Sequence, residues 1–184
     1  MKNFCINYRL KQAEAQIKGG LCQILTKKLP IVVCIGTDGV MGDSLGPLVG
    51  SMLKEKLGGK TYVFGSVDCP ITAKDVPIIS QFVKSAYPDQ PILAIDAALG
   101  KKEEIGSVKV FNKPIRPGLG VNKNLGEVGD VSIIGVVEEM GKNLLSTVRL
   151  SLVYGEAVVI SRAVTSYING IISLAEREKA RAFP

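Results

Sequence analysis

Apolar positions along the chain change period repeatedly, and each change marks an element. Leu10, Ala13, Ile17, Leu21, Ile24 and Leu25 recur every three or four residues, which predicts an amphipathic helix from Tyr8 to Lys28 with a possible bend at Gly19 and Gly20. Pro30 ends it, and Ile31 to Ile35 is an uninterrupted apolar run of the kind found in strands covered on both faces. Helical spacing returns in Leu45, Leu48, Val49, Met52, Leu53 and Leu57, so Ser44 to Leu57 is predicted as a helix stopped by Gly58 and Gly59.

Tyr62 to Gly65 reads as a second strand, and Thr72 to Tyr87 as a helix with Val76, Ile79, Phe82, Val83 and Ala86 facing inward. Pro88 and Pro91 close that helix before a third strand, Ile92 to Ile95, ended by Asp96 and a polar excursion. Ser107 to Phe111 is a fourth strand, and the charge of Lys109 within it predicts an antiparallel sheet edge. Asn112 to Asp130 holds too many Pro and Gly residues for regular structure and reads as a long loop, a class that is usually functional or mobile. Val131 to Val137 is the last strand, and Leu144 to about Arg177 is helical with an expected break near Gly155.

Strands alternating with helices predict an α/β fold: a three-layer α/β/α sandwich around a mostly parallel five-stranded sheet with one antiparallel edge strand. A chain of 184 residues at 46% hydrophobic and 22% charged is expected to form one domain, residues 1–184, with the N-terminal helix of residues 1–29 packed on it.

Composition narrows the chemistry more than the fold. The sequence contains no His, which excludes Ser/His/Asp triads and His-ligated zinc. Cys5, Cys22, Cys34 and Cys69 show neither metal-like spacing nor a disulfide framework, so the sequence predicts a reducing cytosol and no metal. Met1 to Lys28 lacks the h-region and cleavage site of a signal peptide, and no apolar stretch is expected to span a bilayer. The net charge is +6, but the basic residues are dispersed and aromatics amount to 5%, so neither nucleic acid nor membrane is expected as a partner.

In open α/β sheets the ligand crevice lies beyond the carboxyl ends of the strands, so polar residues that follow apolar strands come first. Gly36-Thr37-Asp38-Gly39-Val40-Met41-Gly42-Asp43-Ser44 is a Gly-rich segment leading into a helix N-terminus. Asp43 there reads equally as a helix N-cap and as a catalytic acid, two roles that are compatible. The segment lacks the Gly-Lys-Ser/Thr ending of a Walker loop and the glycine spacing of a dinucleotide fingerprint, and no cofactor is expected.

Asp96, after the run Ile92-Leu93-Ala94-Ile95, reads as a cap or loop anchor, or as a partner for Asp43. Two carboxylates facing one crevice would separate into an acid and a base able to activate water. Gly36, Thr37, Asp38 and Ser44 then line the substrate site, their backbone N–H groups stabilising an oxyanion, with Lys123 assisting. Glu138 and Glu139 read as solvated helix-start residues, Arg116 as a loop cation, and Cys69 as a weak candidate nucleophile.

Gly42-Asp43-Ser44-Leu45-Gly46-Pro47-Leu48-Val49, Ile92-Leu93-Ala94-Ile95-Asp96-Ala97-Ala98-Leu99 and Arg116-Pro117-Gly118-Leu119-Gly120-Val121-Asn122-Lys123 resemble, in the same order, segments of the spore germination protease family. From about Ile31 onward the chain is similar to the small YyaC-type sporulation proteins of spore-forming bacteria. It is more distantly similar to the hydrogenase maturation endopeptidases, whose fold the resemblance implies. It also implies a catalytic pair at Asp43 and Asp96, a peptide or small spore protein as substrate, a place in the cytoplasm of the sporulating cell (mother cell or forespore), and a possible homo-oligomer. The hydrogenase enzymes recognise nickel with acids at these two positions and a His from the long loop, a residue this chain lacks. The alternative is a catalytically inactive peptide- or protein-binding regulator of sporulation on the same fold.

Overall fold

A computed structural model describes residues 3–117, 126–141 and 145–182. The elements run β1 (Asn3–Asn7), α1 (Ala13–Ile24), β2 (Ile31–Cys34), α2 (Leu45–Leu57), β3 (Val63–Phe64), α3 (Val76–Ala86), β4 (Ile92–Gly100), β5 (Ser107–Phe111), β6 (Val131–Glu139) and α4 (Leu150–Ala182). The strands form a six-stranded sheet in the order β1-β5-β6-β4-β2-β3. β3, β2, β4 and β6 are mutually parallel, and β5 is antiparallel to both of its neighbours.

The α/β/α architecture is as the sequence predicts, with one more strand. Asn3–Asn7 was not foreseen: it pairs with β5 from Asn3↔Phe111 to Asn7↔Ser107. β1 therefore takes the edge expected of β5, and Lys109 is neutralised there by Glu104 at 2.7 Å. The first helix is correspondingly shorter than Tyr8 to Lys28, because Asn7 begins a turn: its side chain accepts the Arg9 N–H at 2.9 Å and its carbonyl the Leu10 N–H at 3.1 Å.

α1, α2 and α4 cover one face of the sheet. Ile17 and Leu21, Leu45 and Leu53, and Val153, Ile160 and Val164 all meet Val32, Cys34, Leu93, Ile95 and Ile133. On the opposite face Val76 and Val83 of α3 pack with Ile31, Val33, Ile35, Ile92 and Ala94. The two faces of β2 and β4 are thus both covered, which is why their sequences are continuously apolar.

α2 ends as its glycines predict, Gly58 adopting a left-handed conformation and donating to Lys54 at 3.2 Å. α3 starts later than expected because Asp75 Oδ2 accepts both the Thr72 N–H at 2.9 Å and its hydroxyl at 2.7 Å, holding a turn ahead of the helix.

α4 is continuous over its 33 residues, without the break expected at Gly155. That glycine faces the Tyr8 ring, so it serves close packing rather than a bend. One window of α4 also has the length and mean hydropathy, 1.4, to cross a bilayer, where the sequence reading expected no such stretch. Its stripe Val153, Ala157, Ile160, Val164, Tyr167 and Ile168 is instead buried against the neighbouring helices and the sheet.

Candidate functional site

The site grows from the place where β2 leaves the sheet. Ile35 makes the last rung, donating to Ile95 at 2.8 Å, and Gly36 donates to Ile71 at 2.8 Å, which turns the chain away. Gly36 has φ 137, and a Cβ there would overlap the Asp43 carbonyl, so only glycine lets the loop fold back on itself. The loop closes when Thr37 donates to that carbonyl at 3.1 Å and Asp43 donates to Val40 at 2.9 Å. Met41–Asp43 is one 3-10 turn, and α2 follows at once.

Asp43 is not the cap of α2. Ser44 holds that position, its hydroxyl donating to the Met41 carbonyl at 2.7 Å, and no side chain caps the helix N-terminus. The Asp43 carboxylate is therefore not committed to capping the helix. Burial pushes it up to about 6, against the pull of the Thr37 N–H.

Asp96 does not terminate its strand. β4 continues to Gly100 alongside β6, with a register shift between Ala98 and Leu99, and Asp96, opposite Ile134, lies just past the point where β2 ends. The short prediction has a physical cause: residues 96–99 are paired on one side only and half-buried, so they lack the continuous apolar signal of a covered strand. Burial raises the Asp96 carboxyl well above the ordinary range, the Asp43 charge raises it further, and the Ala97 N–H, donated to Oδ1 at 2.8 Å, opposes both. The two acids therefore share one electrostatic environment, although their positions in the sequence are far apart.

The loop around them differs in part from expectation. The N–H groups of Gly36, Thr37 and Ser44 are engaged by Ile71, Asp43 and Met41, so they are not offered to an oxyanion. Thr37 instead holds the loop, its hydroxyl accepting the Gly39 N–H at 3.2 Å, and Asp38 is exposed on the rim. Lys123 lies outside the described residues.

Arg116 is paired with Glu127 at 2.6 Å, and Glu138 and Glu139 belong to β6 rather than to a helix start. Cys69 is exposed within a turn closed against Ser66, and Cys34 is a core residue whose thiol burial pushes up to about 12. Among the described residues no group of three or more His, Cys, Asp or Glu is placed to hold a metal ion.

Sequence reasoning missed Glu156. It is fully buried on α4, neither carboxylate oxygen has a hydrogen-bond partner, and burial raises it to about 9. Its carboxyl lies over Gly135 of β6, beside Leu45, where a Cβ at position 135 would collide with both. A signal was present: Glu156 falls at helical spacing between the stripe residues Val153 and Ile160, so a helical wheel places it inward.

Residues 5–163 match the family model described as a protein of unknown function, DUF1256. The Bacillus subtilis (strain 168) protein named "Uncharacterized protein YyaC" is 35% identical over 158 residues, which cover 84% of this chain and 77% of that relative. The YyaC-type likeness read from the motifs is therefore borne out.

Proposed function

The chain belongs to the DUF1256 family, and from that premise we propose that it is an endopeptidase-like hydrolase of sporulation, using Asp43, Asp96 and water on a peptide bond. The reading is supported above all by one observation: burial lifts Asp43 to about 6 and raises Asp96 well above its ordinary 3.8, and the charge of Asp43 adds to the rise of Asp96, so the two acids are electrostatically coupled. In this reading Asp43 serves as the general base and Asp96 as the general acid.

Asp43 takes a proton from water as its oxygen attacks the carbonyl carbon. Asp96 gives its proton to the carbonyl oxygen, and a gem-diol forms. On collapse the C–N bond breaks, Asp43 passes its proton to the leaving nitrogen, and Asp96 recovers a proton from the gem-diol as the new carboxyl forms. Both acids return to their starting states, and no redox partner or cofactor is consumed.

The test compares wild type with Asp43→Asn and Asp96→Asn on small spore proteins, following cleavage by mass spectrometry. Wild type should cleave, and each variant should lose at least about 100-fold in rate. Absence of turnover in all three proteins would remove this reading. Partner binding retained by the double variant, with no cleavage by wild type, would favour a peptide-binding regulator.

A further inference from the structure

β1 forms an outer edge of the sheet, and its hydrogen bonds show which groups it offers there. Tyr8 donates to Gly106 at 2.9 Å, continuing the pairing that runs from Asn3↔Phe111 to Asn7↔Ser107. In an antiparallel ladder, facing residues exchange bonds at every second position. Tyr8, Ile6 and Phe4 therefore bond to β5, whereas Asn3, Cys5 and Asn7 aim their main-chain groups outward. The Asn7 carbonyl already accepts the Leu10 N–H at 3.1 Å, so the outward set is both groups of Asn3 and Cys5 and the Asn7 N–H. Among the described residues no other strand meets them.

Edge strands are ordinarily blunted by charges, proline or bulges. β1 has none of these: Asn3-Phe4-Cys5-Ile6-Asn7 is uncharged, and its register with β5 is unbroken. Lys109, across from Cys5, is already paired with Glu104 at 2.7 Å. Arg9 has turned out of the strand, its N–H on the Asn7 side chain at 2.9 Å.

The order of the residues says what fits this edge. Asn3-Phe4-Cys5-Ile6-Asn7 reads polar, apolar, Cys, apolar, polar in either direction. Laid antiparallel on a second copy with Cys5 opposite Cys5, Asn3 faces Asn7 and Phe4 faces Ile6. Cys5 then exchanges both main-chain bonds with its own copy, and each Asn7 N–H meets an Asn3 carbonyl, as an isologous two-fold requires. Lys2, the next cation in sequence, falls opposite Tyr8 in this register, so two chains of net charge +6 meet without like charges opposed.

The helical layer agrees. α1 packs over both β1 and β5, and beside the open edge it presents Gln16, Gly19, Gly20 and Gln23, while Lys18 lines the groove with Tyr167 and Leu174 of α4. At a strand spacing of about 4.8 Å the two-fold sets α1 about 8–10 Å from its copy, the separation of packed helices. Gly20 is explained within one chain, because a Cβ there would meet the Phe4 ring at 3.0 Å. Gly19 is not: among the described residues no atom lies within 4 Å of where its Cβ would stand, although glycine disfavours a helix interior. A helix approaching closely across the two-fold gives that glycine a role.

We infer that β1 is the two-fold interface of a homodimer, in which two six-stranded sheets join edge to edge. β4 and Asp96 lie three strands further in, so the inference stands apart from the hydrolase reading.

Sedimentation velocity on the purified full chain, from about 1 to 100 μM, should show a dimer. Cys5→Lys and Cys5→Glu place like charges on the two-fold. Each should raise the dissociation constant at least about tenfold, and an equimolar mixture of the two should restore the dimer. The Cys5 side chain is exposed, so both variants should melt close to wild type. Independently, a short bismaleimide should link two chains of wild type and of Cys22→Ser and Cys69→Ser, the other exposed cysteines, but not of Cys5→Ser. If a charged variant unfolds, this crosslinking pattern decides alone. A wild type monomeric throughout the range, a dimer indifferent to charge at position 5, a mixture that stays monomeric, or crosslinking that survives Cys5→Ser would each overturn the inference.

Discussion

Burial raises the Asp96 carboxyl well above its ordinary range, and the negative charge of Asp43 raises it further. Asp43 closes a loop that has just left the sheet, and Asp96 lies within the strand that carries on beside it. Neither acid is a helix cap, and both are held in surroundings that disfavour their charge. A stable fold has no need of such a pair, since two unlike neutral side chains would pack there without the desolvation cost.

Peptide hydrolysis should therefore follow a bell-shaped pH profile. The rate rises as Asp43 ionises through about 6 and falls where Asp96, whose carboxyl burial raises well above 3.8, gives up its proton. Initial rates across the pH range check this. A rate that keeps climbing below about pH 5 would contradict the assignment of Asp43 as base.

Glu156 should make the fold less stable as pH rises. Unfolded, its proton leaves near the ordinary 4.5, whereas the folded chain holds it to about 9. Between those values the native state binds more protons, so stability is greatest on the acid side and declines toward pH 9, by up to about 1.4 kcal/mol per unit. Glu156→Gln should flatten that decline in urea unfolding at several pH values. An identical slope in wild type and variant would show that Glu156 is not its source.

Gly36→Ala should disturb the fold and the site together. The new methyl group would meet the Asp43 carbonyl, and the residue would be forced into a conformation that suits glycine. A loss of about 2 kcal/mol or more is expected, with a fall in turnover because Asp43 is displaced. Thermal melting and a cleavage assay on the same preparation measure both, and an unchanged melting temperature would refute the geometric argument.

Tyr167→Phe should cost about 1 kcal/mol, seen as a melting temperature lower by about 2–4 °C. The Tyr167 hydroxyl donates to the Lys28 carbonyl at 3.0 Å, tying α4 to the connection between α1 and β2. Calorimetry distinguishes this from the larger loss expected of a cavity, because the ring remains.

What the sequence by itself determined is every element but β1 and most of the buried faces, although Phe82 and Ala86, expected to face inward from α3, are exposed. Leu45, Val49, Leu53 and Leu57 lie at helical spacing and are all buried in α2, and the unbroken run Ile31 to Ile35 became a strand covered on both sides. Asp96 was legible as a candidate because a carboxylate directly following an apolar run stands out, and Asp43 because it sits where a Gly-rich segment leads into a helix N-terminus. These signals are local: side-chain periodicity follows from the backbone geometry of the same few residues.

Only the tertiary structure decided which strands are neighbours, and with that the shape of the site. β1 is short and half polar, so its pairing with β5, distant in the chain, left no local mark. Asp96 became a mid-strand residue because β6 continues alongside β4 after β2 has left. Glu156 became a buried, unpaired acid because α4 crosses β6 at Gly135. Strand pairing and desolvation arise between residues remote in sequence, and their energies depend on what surrounds a side chain rather than on what precedes it.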